Sequence, residues 1–188
     1  MKKNSIINLG IVGVAGKMGR AICERLIETG NELTVWNRSP EKIADLEGVK
    51  IAATPAEVAS SAEIIISVLA NDNATQSAYF DDGGLTTNSL NGKLIIEICT
   101  SSPERAVELE KSVKEKGGQF IESPVGGTVK PARDGTLLVL VAGDKVAFER
   151  AEPILEQMAR RIEYLGQTGA AAAMKLCLLY TSDAADEE

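Results

Sequence analysis

The segment Gly13-Val14-Ala15-Gly16-Lys17-Met18-Gly19 follows an apolar run and opens a stretch of helical period. Glycines at such a junction permit a tight turn and let the backbone approach a diphosphate, whose charge the positive end of the following helix balances. The spacing is G-x-x-G-x-x-G, with one residue more between the first two glycines than in the usual dinucleotide fingerprint. A strand-to-helix turn without a ligand is the alternative. The loop's place as the first βα turn favours the dinucleotide, with Gly13, Ala15, Gly16, Lys17 and Met18 as candidate contacts.

A second group of residues closes the next apolar run: Trp36-Asn37-Arg38-Ser39. A carboxylate here would accept protons from the ribose hydroxyls and repel a 2′-phosphate, but no acid is present. Asn37 and Ser39 can donate hydrogen bonds to such a phosphate. The Arg38 guanidinium can cover its charge and lie over the adenine face. These residues predict NADP in preference to NAD; the alternative for Arg38 is a cap on a surface turn.

Positioning these groups requires strands that end at one edge and helices that begin there. Short β-branched runs alternate with longer segments of helical period, the pattern of βαβ units on a parallel sheet. Strands are expected at 8–12, 33–36, 64–69, 94–98, 120–121, 136–142 and 162–165. Helices are expected at 17–29, from Ser39-Pro40-Glu41, from Ser102-Pro103-Glu104 to Gly117-Gly118, at 145–158 and at 170–176. The fold class is α/β: a doubly wound, Rossmann-type, mostly parallel sheet with extra C-terminal strands. One domain accounts for 1–165, and 166–176 begins a further helix.

Composition removes several function classes. Hydrophobic residues make up 44% and charged residues 25% of the 188, an ordinary globular balance. A formal charge of -7 disfavours nucleic acid as a partner. The opening apolar run is too short and glycine-rich for a secretory signal, and no run is long enough for a membrane span, so a cytoplasmic location is expected. There is no histidine to act as a base. Cys23, Cys99 and Cys177 lack metal-ligand spacing, so no metal site is expected, and Cys23 and Cys99 read as small core residues.

Three further segments carry a family resemblance. Glu122-Ser123-Pro124-Val125-Gly126-Gly127-Thr128, running on through Pro131-Ala132-Arg133-Asp134-Gly135-Thr136-Leu137, resembles the substrate-loop signature of the β-hydroxyacid dehydrogenases, which include 3-hydroxyisobutyrate dehydrogenase. Gly166-Gln167-Thr168-Gly169 followed by Lys175 is similar to that family's approach to its catalytic lysine. With the opening loop and Thr100-Ser101-Ser102-Pro103, the likeness covers nearly all of 7–176.

The resemblance implies an NADP-dependent oxidoreductase acting on a small β-hydroxyacid or semialdehyde, such as 3-hydroxyisobutyrate, succinic or tartronic semialdehyde, or glyoxylate. Lys175 would be its acid-base group. Leu69, Ala70 and Thr100 would contact the cofactor, and Ser123, Gly126, Gly127 and Thr128 the substrate. The family usually has serine where Gly126 stands, which removes one side-chain donor. It also implies a homo-oligomeric parent enzyme and an all-helical second domain, expected to be missing here.

Residues 177–187, CLLYTSDAADE, match the translation of a transposase-based sequencing adapter. On that reading 177–188 is a non-native tail; the alternative is a genuine acidic tail. Leu179 stands where the family has an asparagine. Other functions remain open. A dihydrodipicolinate reductase shares the loop pattern but relies on a histidine segment, and imine reductases generally replace the lysine. A cofactor-binding fragment or sensor without turnover is the reading from a different class.

Overall fold

In the computed structural model, which describes residues 7–186 and their side chains as far as 179, the apolar runs become the centre of one sheet. Strands β1 (Asn8–Val12), β2 (Glu32–Trp36), β3 (Val49–Ile51), β4 (Ile64–Ser67), β5 (Leu94–Glu97) and β6 (Gln119–Glu122) are all parallel, in the order β3-β2-β1-β4-β5-β6. Ile64, Ile65 and Ile66 are all buried because both faces of the sheet are covered: Ile64 and Ile66 join one core cluster and Ile65 the other. A continuous β-branched run is what a central parallel strand requires.

Helices α1 (Lys17–Glu28), α2 (Pro55–Ser61), α3 (Asp72–Phe80), α4 (Pro103–Glu115), α5 (Val129–Arg133), α6 (Lys145–Leu155) and α7 (Ala170–Asp186) complete the layers. Several start where a side chain accepts from a free backbone N–H of the first turn. Thr54 caps α2, Asn71 caps α3, Ser102 caps α4 and Asp144 caps α6. The start of α1 has no such side chain. Its N-cap is Gly16, and its first turn holds no acidic residue.

The extra C-terminal strands differ in sense from the rest. β8 (Leu137–Gly143) runs antiparallel to β6 and to the short β7 (Val125–Gly126), and β9 (Ala159–Tyr164) is parallel to β8. Among the described residues no helix is long and apolar enough to cross a membrane.

Several elements depart from the sequence expectation. The helix expected from Ser39 is a single 3-10 turn, Pro40–Ile43, without a side-chain cap. The chain must reverse there to enter β3, a strand with too little apolar signal to stand out. Gly126, expected in a loop, pairs with Leu138 as part of β7. The strand expected at 64–69 ends at Ser67, and α7 carries its backbone helix past 176 to Asp186. The expectation of a non-native tail at 177–188 falls partly on residues 187–188 and on side chains beyond 179, outside the described residues.

Ile66 is fully buried in the central strand. Ile66→Ala is therefore expected to lower unfolding free energy by about 2–5 kcal/mol in a urea titration.

Candidate functional site

The sheet order places the site. From β1 the chain goes outward to β2 and β3, then returns to β4 on the other side of β1. The loops leaving β1 and β4 thus diverge and leave a crevice at their C-terminal ends, the place where open α/β sheets take ligands. A cleft of about 320 Å³ lies there.

Two glycines let the loop settle into this position. Gly13 has φ +97, and a Cβ on it would lie 2.2 Å from the Val68 carbonyl oxygen just past β4. Only glycine allows that approach. A Cβ on Gly19 would lie 2.4 Å from the Gly13 carbonyl oxygen, so α1 packs directly on the turn that precedes it. Gly16 differs: the nearest atom to its notional Cβ is 3.9 Å away. The residue added to the fingerprint is accommodated because α1 starts at Lys17, immediately after this open glycine.

Of the expected cofactor contacts, Gly13, Ala15, Gly16, Asn37, Arg38, Ser39, Leu69 and Ala70 line the cleft. Lys17, Met18 and Thr100 do not; Lys17 and Thr100 are exposed, and Met18 is half-buried against the core. Lys17 and Met18 still open α1, where backbone N–H groups have no intrahelical acceptor. Asn37 has a different part from the one expected. Its Oδ1 accepts from Ala15 N at 3.2 Å and its Nδ2 donates to Ser39 O at 3.1 Å, bracing the glycine loop against the end of β2.

Trp36, Lys42, Val68, Ala74 and Ser77 also line the cleft and escaped the sequence reading. Lys42 comes to line the same cleft as Arg38 through the 3-10 turn, a placement that helical periodicity does not reveal. Arg38 and Lys42 are both exposed on this rim. The chemistry of the cleft fits a dinucleotide: a helix N-terminus without an acid, an open glycine and two cations.

The expected substrate residues lie around β7. Gly126 is half-buried, Gly127 and Thr128 are exposed, and Thr128 precedes α5. Ser123 departs from the expectation. It is fully buried and its hydroxyl has no hydrogen-bond partner among the described residues, so it lies below the surface the other three present. Lys175 is half-buried on α7, one turn from the buried Ala171 and outside the cleft lining.

The start of α7 is held by Glu122, the last residue of β6. Its Oε1 accepts from Gly169 N at 2.7 Å and Ala171 N at 2.9 Å. Burial pushes this carboxyl above the usual glutamate range, against the backbone N–H groups that favour its charge. Of the cysteines, Cys23 is buried as expected, and burial pushes its thiol up to about 12. Cys99 is only half-buried, and its Sγ accepts from Leu69 N at 2.8 Å.

A glycine-led helix start at the switch point of a parallel sheet is the arrangement of a dinucleotide-binding domain. Comparison with known proteins narrows this. Residues 8–166 match the family model described as the NAD binding domain of 6-phosphogluconate dehydrogenase, and the chain belongs to this family, that of the β-hydroxyacid dehydrogenases.

It is 38% identical over 172 residues to glyoxylate/succinic semialdehyde reductase 1 of Arabidopsis thaliana, covering 90% of this chain and 59% of that protein. It is 35% identical over 173 residues to cytokine-like nuclear factor N-PAC of Xenopus tropicalis, covering 90% of this chain and 32% of that one. Among solved structures, Psf3 in complex with NADP+ and 2-OPP superposes with a TM-score of 0.85 at 31% identity, over 90% of this chain and 60% of that one. Mycobacterium tuberculosis 3-hydroxyisobutyrate dehydrogenase superposes at 0.83 and 27% identity, over 92% and 59% respectively. The chain thus spans well under two thirds of the length of these relatives.

Two outcomes test the site geometry. Gly19→Ala should displace the glycine loop and weaken dinucleotide binding more than about tenfold, whereas Gly16→Ala should cost less than about 1 kcal/mol of stability, as read by fluorescence titration and urea unfolding. For Glu122 the folded-state pKa is raised, so its contribution favours folding most below about pH 4 and is lost as pH rises through the folded value. The stability of the wild type relative to Glu122→Gln should accordingly decline from about pH 4 upward; a flat or rising difference contradicts the assignment.

Proposed function

We propose that this chain is the NADP-binding part of a reductase that converts a small aldehyde acid to its hydroxy acid. The observation that carries the cofactor choice is the rim at the end of β2, where Arg38, Ser39 and Lys42 line the cleft and, among the described residues, no carboxylate lines it. A 2′-phosphate would be matched by these cations and donors, whereas a free ribose diol would lack its usual acidic acceptor.

The cofactor supplies the hydride when bound. The chain's own groups do the rest. The N-terminus of α1 and Gly16 hold the diphosphate. Residues Leu69 and Ala70 support the nicotinamide end. Backbone N–H groups of Gly126, Gly127 and Thr128 hold the substrate carboxylate, and Lys175 gives a proton to the carbonyl oxygen.

The 38% identity to a glyoxylate/succinic semialdehyde reductase supports glyoxylate and succinic semialdehyde as the first substrates to assay. Tartronic semialdehyde and 3-hydroxyisobutyrate share the same carboxylate and carbonyl or hydroxyl chemistry. A second reading is cofactor binding without turnover, since the chain is also similar to a relative named as a nuclear factor and not as a reductase.

Arg38→Ala and Lys42→Ala should each weaken NADPH binding roughly ten- to hundredfold, the worth of a charge-assisted hydrogen bond, while NADH binding changes less than about twofold. Equal losses for both cofactors would contradict NADP selectivity. Where NADPH oxidation with glyoxylate or succinic semialdehyde is measurable, Lys175→Ala should lower kcat about 10²- to 10⁴-fold and leave NADPH binding unchanged. Undiminished kcat would overturn the proton-donor role of Lys175.

A further inference from the structure

Beneath the β4–β5 side of the cleft lies a group of buried polar side chains that hold neither the diphosphate nor the substrate. Glu97, the last residue of β5, is 1% exposed, and among the described residues no cation is paired with it. Tyr79 Oη, from α3, donates to Glu97 Oε2 at 2.5 Å. Cys99 N donates to Glu97 Oε1 at 3.2 Å, and Cys99 Sγ accepts from Leu69 N at 2.8 Å. The fully buried Ser67, at the end of β4, flanks the carboxylate without a well-formed hydrogen bond of its own.

A carboxylate buried without a cation is costly to fold around, and burial pushes Glu97 above the usual glutamate range. What it does with its position is specific. Each oxygen faces a donor, one from a helix and one from the backbone just past β5, and the second connects through Cys99 to the backbone past β4. A glutamine would turn its amide N–H₂ toward one of these donors and lose that bond.

Where these bonds end matters more than their number. Leu69 and Ala70 line the cleft on the side away from Arg38 and Lys42 across the switch point. A dinucleotide spanning that point with its adenosine phosphate over the end of β2 lays its other half over the ends of β4 and β5. Resting on the NADP reading above, we propose that Glu97 is a positioning residue for the nicotinamide half of the cofactor. With Tyr79 and Cys99 it fixes residues 69–70, which line the cleft, in the conformation that receives that half.

The test uses the full chain and two probes. NADPH carries both halves; adenosine 2′,5′-bisphosphate carries the adenine and 2′-phosphate but no nicotinamide. Wild-type chain should bind NADPH more tightly than the bisphosphate. Glu97→Gln, Tyr79→Phe and Cys99→Ala should each weaken NADPH about three- to tenfold, the worth of one net hydrogen bond. Binding of the bisphosphate should change less than about twofold, which also reports that each variant is folded. Cys99→Ser, which keeps an acceptor for Leu69 N, should hold NADPH within about twofold of wild type.

Unchanged NADPH binding in Glu97→Gln, or parallel loss of both probes in all three variants, would overturn the positioning role. A wild-type chain that binds the bisphosphate as tightly as NADPH would overturn it too. A wild-type chain that binds neither overturns the NADP reading itself, and this inference with it.

Discussion

The approach of Gly13 to the Val68 carbonyl, closer than any side chain permits, is the constraint on which the site depends. It brings the turn after β1 down onto the end of β4. Gly19 then lets α1 pack on the same turn, so the helix begins where β1 ends and points its free N–H groups into the crevice. A Cβ at either position would move the helix start, and with it the diphosphate site, while leaving the strands intact. Asn37 completes the arrangement by tying Ala15 to the end of β2. The glycine loop and the rim of Arg38 and Lys42 consequently keep a fixed relation across the cleft.

On the other side of the sheet's switch point the organising groups are carboxylates. Glu97 and Glu122 are the last residues of adjacent parallel strands and stand in register with each other. Beyond a strand end, backbone N–H groups lose their ladder partners and need others. Glu97 accepts from Cys99 N, and Glu122 accepts from Gly169 N and Ala171 N at the start of α7. One acid thus orders loops along the cleft, and the other fixes the start of the helix that carries Lys175. Both are desolvated, and both have their carboxyls pushed up by it.

The family relation and the site's construction meet at different levels. The match over 8–166 covers the strands of the sheet and the residues that line the cleft. The relatives run on well beyond the region they share with it. Cofactor binding is therefore a property the domain's own geometry supports.

Much of the fold was legible because it rests on local pattern. Unbroken β-branched runs mark strands covered on both faces, and capping residues with proline mark the start of α4. The glycine loop and Arg38 were legible for the same reason, since their chemistry lies in adjacent residues. The rest depends on partners distant in sequence. β3 is a strand only because β2 offers it an edge, and Gly126 is in a strand only because β8 lies beside it. Ser123 is buried by the layers packed over the end of β6, and Lys42 reaches the rim through a single 3-10 turn. The Asn37 brace joins residues 22 positions apart, and the Glu122 cap joins residues 47 and 49 apart. The sequence by itself determined the repeating elements and the dinucleotide loop, because periodicity and turn chemistry act over a few residues. Tertiary structure alone decided which polar groups face the cleft and which are buried to hold it, because hydrogen bonds and burial are set by whatever the chain brings alongside.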